Sequence, residues 1–600
     1  MGTSTHHAAV IDESIGYFTF TMGGDQRMDI HAVAHKLLRK GVAETVGTPT
    51  HPEVRMGHRY SELYKLIRES DTWIGFAQAL ESRTLRQWIA QHPLRSSQML
   101  ARMYLPFARR GSSNSMTEQL DLIRSFTEAS EQIAQSVAHK QAINAIQHAI
   151  ESDVYRASYR AEEPYLRLHL RDIAVWLTTK DNGTERAPAD FSEGIYANAT
   201  ALLHRSGVVQ VTIAIRFPSK IESKKLSTMQ FGGSRIIMAA EYPEDLLKSS
   251  MKTRNVDTIP GEWATGMRSG NRWRRIAYRE AISVTEMCQV YIDAIFNACR
   301  SQSNGDFLCH PSIFVEAISC CPSEADFRTH HEKELTELAT RYQSQHNQRG
   351  SSVTDLMPQD SSLTIERSVY MGSSHTLCIR WPGFTGVEEY AGHLQHVMIS
   401  ECALLQFWQI RMIDWRIARS RGRLKSIRKL QEDAIYGLRE YRDTPLVHGT
   451  ARDIADTLLE GWHADRLYNH TIESLNQLQQ LVATIESQRS ARRANALAAT
   501  AALATVLLGL PAMDETLDVV RKVPEGGFLG TIAAPLRPLA QRDETGSWIG
   551  YLFLLIVVTV IVSIWSRIQR WSNPEKRFRR SSGKPWPLGT INIERRDTND

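Results

Sequence analysis

The sequence predicts an α+β body joined by a long coiled-coil stalk helix to a C-terminal two-helix transmembrane hairpin. Three observations carry this reading. Strand-period and helix-period stretches are mixed along residues 1–450. A heptad-spaced helical run occupies residues 451–493. Two uncharged segments, 494–513 and 547–566, lie near the C-terminus.

Taken in order, residues 1–160 read as a mainly helical region, as in residues 123–150. Asp12 and Glu13 interrupt the first apolar stretch and no basic segment precedes it. This reading therefore finds no secretory signal and places the body in the cytoplasm. Residues 161–342 read as an α/β domain. Leu166, Leu168 and Leu170 alternate with polar residues inside the strand candidate 165–178, and 208–217 (VVQVTIAIRF) is a second candidate. Such alternation puts one set of side chains on one face of a strand. Asp181-Asn182-Gly183 is a turn signal, and 343–363 is a polar linker. Residues 364–450 hold a strand at 376–381 and a long helix over 388–441, which Arg442-Asp443-Thr444-Pro445 ends. In the stalk, 451–493, Thr471, Leu475, Leu478, Val482 and Ile485 step by four, three, four and three. That is the seam of a coiled coil, and a homo-oligomer is the simplest source of its partner.

The second uncharged segment contains YLFLLIVVTVIVSI at 551–564, flanked by Trp548, Tyr551, Trp565 and Trp571. Its length suits a hydrocarbon core of ~30 Å, and its aromatic residues suit the interfaces. The first segment, 494–513, is alanine-rich and needs this apolar partner to insert. Arg489, Arg492 and Arg493 precede the first segment; Arg567, Arg570, Lys576, Arg577, Arg579 and Arg580 follow the second. The positive-inside rule then makes 514–546 an external loop and 567–600 a basic cytoplasmic tail. The expected localisation is a bacterial cell membrane, multi-pass, with both termini cytoplasmic and the lipid bilayer as a partner. Asn495, Ala498, Ala502, Thr505 and Gly509 share one helical stripe, which serves helix packing or lines a pore. Asp514, Glu515 and Asp518 follow it and would form an acidic ring at the external mouth of an oligomer.

Composition narrows the function classes. The chain has 600 residues, 23% charged and 42% hydrophobic, and a formal charge of +5. That charge is too small for this length to indicate a nucleic-acid partner. Seven cysteines at irregular spacings, all between Cys288 and Cys402, read as reduced thiols rather than a disulfide framework. No P-loop, dinucleotide fingerprint, His-Glu-x-x-His helix or nucleophile elbow occurs in the sequence. The expectation is therefore no enzyme and no catalytic residue; the cofactor is unknown and no metal ligand is assigned.

Four weaker signals occur along the chain. Phe231-Gly232-Gly233-Ser234-Arg235 offers backbone amides to a phosphate but reads as a turn. Cys320, Cys321, His330 and His331 group soft donors, yet adjacent cysteines lack the spacing of a zinc knuckle. His393 and His396 share a helix face as a solvated or core-edge pair. Cys309-His310 has no activating partner that would make the thiol a nucleophile.

The order of parts over residues 390–580 resembles CorA-type divalent-cation channels. Those have a cytoplasmic α/β domain, a stalk helix running into the first membrane helix, an external loop and a second membrane helix. The family's Gly-Met-Asn signature is replaced here by Ala512-Met513-Asp514, where only the Met matches. Separately, Leu203-His204-Arg205-Ser206-Gly207-Val208-Val209-Gln210 and Trp381-Pro382-Gly383-Phe384 resemble segments of caspase- and TPR-repeat-associated (CATRA) conflict-system proteins of actinobacteria. That resemblance implies a protease or TPR protein as the cytoplasmic partner. The resulting expectation is a membrane-anchored interaction or sensor protein, an effector of a bacterial defence system. A CorA-like cation channel and a membrane-tethered enzyme with an unrecognised site stay open as alternatives.

Overall fold

A computed structural model describes residues 9–24, 26–51, 55–56, 142–178, 194–250, 261–268, 271–299, 303–340, 357–362, 366–382, 389–419 and 424–522. The strands are β1 (Val10–Gly24), β2 (Ala43–Gly47), β3 (Arg55–Met56), β4 (Tyr165–Leu170), β5 (Ile173–Leu177), β6 (Ile195–His204), β7 (Val208–Arg216), β8 (Ile221–Glu222), β9 (Arg235–Pro243), β10 (Gly261–Arg268), β11 (Asn271–Ser283), β12 (Ser303–Ile318), β13 (Arg367–Met371) and β14 (Thr376–Arg380). The helices are α1 (Ile30–Arg39), α2 (142–154), α3 (Ala157–Ala161), α4 (Ser223–Met229), α5 (Glu244–Ser250), α6 (Val284–Cys299), α7 (Glu324–Thr340), α8 (Glu389–Arg419), α9 (Leu424–Arg442), α10 (Gly449–Gly461) and α11 (Ala464–Lys522).

The chain divides into two compact units, Met1–Arg419 with Arg428–Ile472, and Ser420–Ile427 with Glu473–Asp600. The first is built on one large mixed sheet in the order β10-β11-β9-β5-β6-β7-β1-β12-β14-β13. Its pairs are antiparallel except β12 with β14, which run parallel.

Alternation in β1 and β7 explains why helices cover both faces of the sheet. Phe18, Phe20 and Met22 point to one side with Val209, Val211, Ile213 and Ile215. There they join Leu37 of α1, Met229 of α4, Leu247 of α5, Ile292 of α6 and Phe327 of α7 in the main core. Burial of that apolar area is the chief favourable term in folding. The opposite face of the same strands carries Thr19, Thr21, Gln210 and Thr212, all buried. Buried hydroxyls and amides need partners, and α8 supplies them. Thr212 Oγ1 donates to Glu401 Oε1 at 2.6 Å, and Gln210 Nε2 donates to the Glu401 carbonyl at 2.8 Å. Arg167 of β4 closes the network: Nε donates to Glu151 Oε1 at 2.9 Å and Nη1 lies 2.8 Å from Glu401 Oε2. The latter is an ion-pair contact not aligned as a hydrogen bond. Burial opposes the Arg167 charge, but Glu401 and Glu151 outweigh it and hold the guanidinium well above its ordinary range.

Strands expected at 165–178, 208–217 and 376–381 appear as β4 with β5, as β7 and as β14. Residues 1–160, expected to be mainly helical, begin instead with β1, an interior strand of the sheet. Of the helix expected at 123–150, residues 142–150 are described and are helical. The Asp181-Asn182-Gly183 turn and most of the linker lie outside the described residues. The Leu203–Gln210 segment spans the β6–β7 turn, where Gly207 takes φ +95° and a Cβ would strike the Gln26 carbonyl oxygen. Only glycine suits such a position.

The structure corrects the membrane reading. Among the described residues no helix is long and apolar enough to cross a membrane. Residues 494–513 are the middle of α11, which continues without a break through Asp514, Glu515 and Asp518 to Lys522. Alanine leaves this segment uncharged while contributing little apolar area per residue. The transmembrane hairpin and the multi-pass membrane localisation are therefore unsupported, and with them the membrane half of the CorA-like order of parts. Residues 547–566 lie outside the described residues. The stalk run is also divided: His463, at φ +54°, separates α10 from α11.

Candidate functional site

A small cleft in the first unit lies where α8 meets β12, β14 and β13. It is a shallow recess whose empty space of about 340 Å³ includes open solvent, and it is lined by Phe314, Glu316, Arg367, Cys378, Arg380, His393 and His396 among others. Sheet register assembles it. Parallel pairing sets Phe314 beside Cys378, and antiparallel pairing sets Val369 beside Cys378. These three, with Tyr17 and Val397, make a small apolar floor. Two residues further along, period-2 alternation brings up Glu316, Arg380 and Arg367 on the same face. Arg367 and Arg380 are direct cross-strand partners. Like charges placed directly opposite in a sheet repel and are destabilising.

Helix α8 adds the histidines. His393 and His396, three apart, both turn toward the sheet, and the His393 ring centroid sits 4.1 Å from that of Phe314. Next to them, a Cβ at Gly392 would sit 2.5 Å from Arg367 Nη1, the movable end of that side chain. His393 Nδ1 lies 3.5 Å from Glu316 Oε1, and Arg216 Nη2 lies 4.0 Å from Glu316 Oε2. Burial, and after it the Arg367 charge, lowers the His393 pKa to about 3 and that of His396 to about 4. Both rings are therefore neutral at pH 7. Burial raises the Cys378 thiol to about 12 against the pull of Arg367, so it is no thiolate. The lining holds two guanidinium groups and one carboxylate, and the charges of Arg216 and Glu13 also act on Glu316. Among the described residues, Arg367 has no carboxylate at salt-bridge distance. Glu316 is held above its ordinary value, first by burial.

The arrangement is suited to holding an oxyanion and unsuited to nucleophilic or acid–base chemistry. A guanidinium pair offers forked donors that match phosphate and carboxylate oxygens. Neutral imidazoles add donors without adding desolvated charge. Sequence reasoning saw His393 and His396 as a shared face but missed Arg367, Arg380 and Glu316. The signal available was an arginine at the end of each of two short apolar strands, RSVYM and TLCIR.

Other expected positions separate. Cys309 and His310, neighbours on β12, point to opposite faces; His310 Nε2 is 3.1 Å from Thr376 Oγ1, and Cys309 lies against Gly232. Phe231–Arg235 is a turn whose Gly232 carbonyl accepts from Thr285 N and Oγ1, so its backbone serves packing. Cys320, Cys321 and His331 come together whereas His330 does not. The seam residues Leu475, Leu478 and Ile485 are half-buried and Val482 is buried, between exposed neighbours. Asn495 and Ala498 are exposed; the side chains of Ala502, Thr505, Gly509 and Asp514 lie outside the described residues, and Glu515 and Asp518 are exposed. No family model, characterised protein or solved structure matches the chain.

Proposed function

We propose that the protein is a ligand-sensing interaction protein whose α+β body binds a small oxyanion-bearing molecule in the cleft between α8 and β12–β14–β13. The observation that carries this is the Arg367–Arg380 cross-strand pair, facing one carboxylate and two neutral histidines. A bound oxyanion bridging the two guanidinium groups relieves their repulsion and links three strands to one end of the 31-residue helix α8. That helix also carries Glu401, the hub of the buried polar network, so occupancy of the cleft reaches the centre of the body. A cleft coupled to α8 in this way supports reading the body as an interaction or sensor module. No nucleophile–base pair lines the cleft among the described residues, which favours binding over catalysis.

Thermal unfolding of the full chain with inorganic phosphate tests the reading. Millimolar phosphate is expected to raise the midpoint, as any ligand selective for the folded state does. The shift is expected to vanish in Arg367→Gln and to shrink in Arg380→Gln. An equal shift in wild type and Arg367→Gln would show that the anion acts elsewhere.

A further inference from the structure

The loop between β12 and α7 holds a second constellation, independent of the cleft. One donor atom each from Cys320, Cys321 and His331 lies within 4.8 Å of the other two. We infer that these residues form an open three-donor site for a thiophilic d10 cation of the Zn2+ class.

Several features of the local structure favour a ligand here. Helix α7 is kinked at His331, which takes φ −135° and ψ 30° in the middle of the helix. The kink turns His331 toward the cysteines, while His330, one residue earlier, stays exposed with Nδ1 2.8 Å from the Asp326 carbonyl. His331 is 8% exposed, and its Nδ1 has no hydrogen-bond partner among the described residues. Glu334 Oε1 lies 3.7 Å from that nitrogen, too far for a hydrogen bond. The loop itself is pinned. Ser323 caps α7, accepting from Asp326 N at 3.2 Å and donating to Asp326 Oδ2 at 2.6 Å. Phe327, against the His331 ring at 5.1 Å, anchors the kinked helix in the main core.

The donor chemistry selects the ion. Two sulfurs and one imidazole suit Zn2+ and its softer relatives and disfavour Mg2+ or Ca2+, which take oxygen. Zinc–sulfur bonds of ~2.3 Å and zinc–nitrogen bonds of ~2.0 Å require donor–donor edges of roughly 3.5–3.8 Å. The present separations close to that by side-chain rotation, which exposed Cys320 permits. Solvent reaches the site from the Cys320 side and supplies the fourth ligand, so the ion is exchangeable.

The test uses the reduced full chain and Co2+, a spectroscopic stand-in for Zn2+. Titration is expected to produce a thiolate-to-metal charge-transfer band that saturates at one equivalent and is displaced by Zn2+. Cys320→Ser, at an exposed position that leaves the fold intact by circular dichroism, should weaken binding at least tenfold. His331→Gln should weaken it comparably and alter the d–d spectrum, whereas Cys299→Ser at the end of α6 should leave the Co2+ titration unchanged. The inference is overturned by absence of the band in folded reduced protein. It is equally overturned by a band that survives Cys320→Ser with Cys321→Ser, or by His331→Gln leaving affinity and spectrum unchanged.

Discussion

Replacing Arg167 by Met tests whether the network under α8 is a balanced ionic unit. Arg167, Glu151 and Glu401 are 6%, 4% and 1% exposed, so removing the guanidinium leaves two carboxylates facing each other without water. Breaking a buried pair in this way costs about 3–5 kcal/mol, because the remaining charge is uncompensated. Against a typical domain stability of about 5–15 kcal/mol this is a large fraction. Glu401→Gln keeps the oxygen that accepts from Thr212 and leaves Arg167 paired to Glu151, so it should cost less, about 1–3 kcal/mol. In the triple variant Arg167→Met, Glu151→Gln, Glu401→Gln, the orphaned charges are gone and at least half of the Arg167→Met loss should return. Urea unfolding at pH 7, followed by far-ultraviolet circular dichroism, measures all three. A loss under about 1 kcal/mol for Arg167→Met, or no recovery in the triple variant, would refute the argument from uncompensated charge.

Other outcomes follow from single observations. Unfolded, His393 and His396 titrate near 6.5; folded, at about 3 and about 4. Below pH 6.5 the unfolded chain binds protons that the folded chain does not, so stability should fall as pH drops from 6.5 towards 4. Urea midpoints across that range should flatten in His393→Asn with His396→Asn, and an unchanged slope would contradict the neutral assignment. Gly207→Ala places a Cβ in a left-handed conformation against a carbonyl oxygen and should cost about 1–3 kcal/mol by urea titration. Trp381→Phe removes the Nε1 donor 2.9 Å from Ser368 Oγ inside the core and should cost about 1–2 kcal/mol by the same measurement.

The sequence revealed what depends on local periodicity. Leu166, Leu168 and Leu170 alternate, and β4 forms there; VVQVTIAIRF alternates, and β7 forms. The His393/His396 face was equally legible because residues three apart meet on one side of a helix. What stayed hidden depends on pairing across long separations. Nothing local indicates that β12 accepts β14 in parallel, yet that register raises Glu316 beside the arginines. The kink at His331 was likewise illegible, and it decides that His331 rather than His330 meets the cysteines. Residues 494–513 carry no charge, but with alanine in place of larger apolar side chains they remain part of a helix extending into the charged residues 514–522.

The central claim, that an oxyanion occupies the Arg367–Arg380 cleft beside neutral histidines, is tested most directly by calorimetric titration of inorganic phosphate into the full chain. The titration is run at pH 6 in two buffers of different ionisation enthalpy. Burial is the larger cause of the low histidine pKa values and persists when an anion offsets the Arg367 charge, so both rings should stay neutral at pH 6. Binding should be at least tenfold weaker in Arg367→Gln, and any proton exchange should be that of phosphate itself, unchanged in His393→Asn with His396→Asn. Proton uptake that disappears in the histidine double variant, or binding undiminished in Arg367→Gln, would contradict the claim.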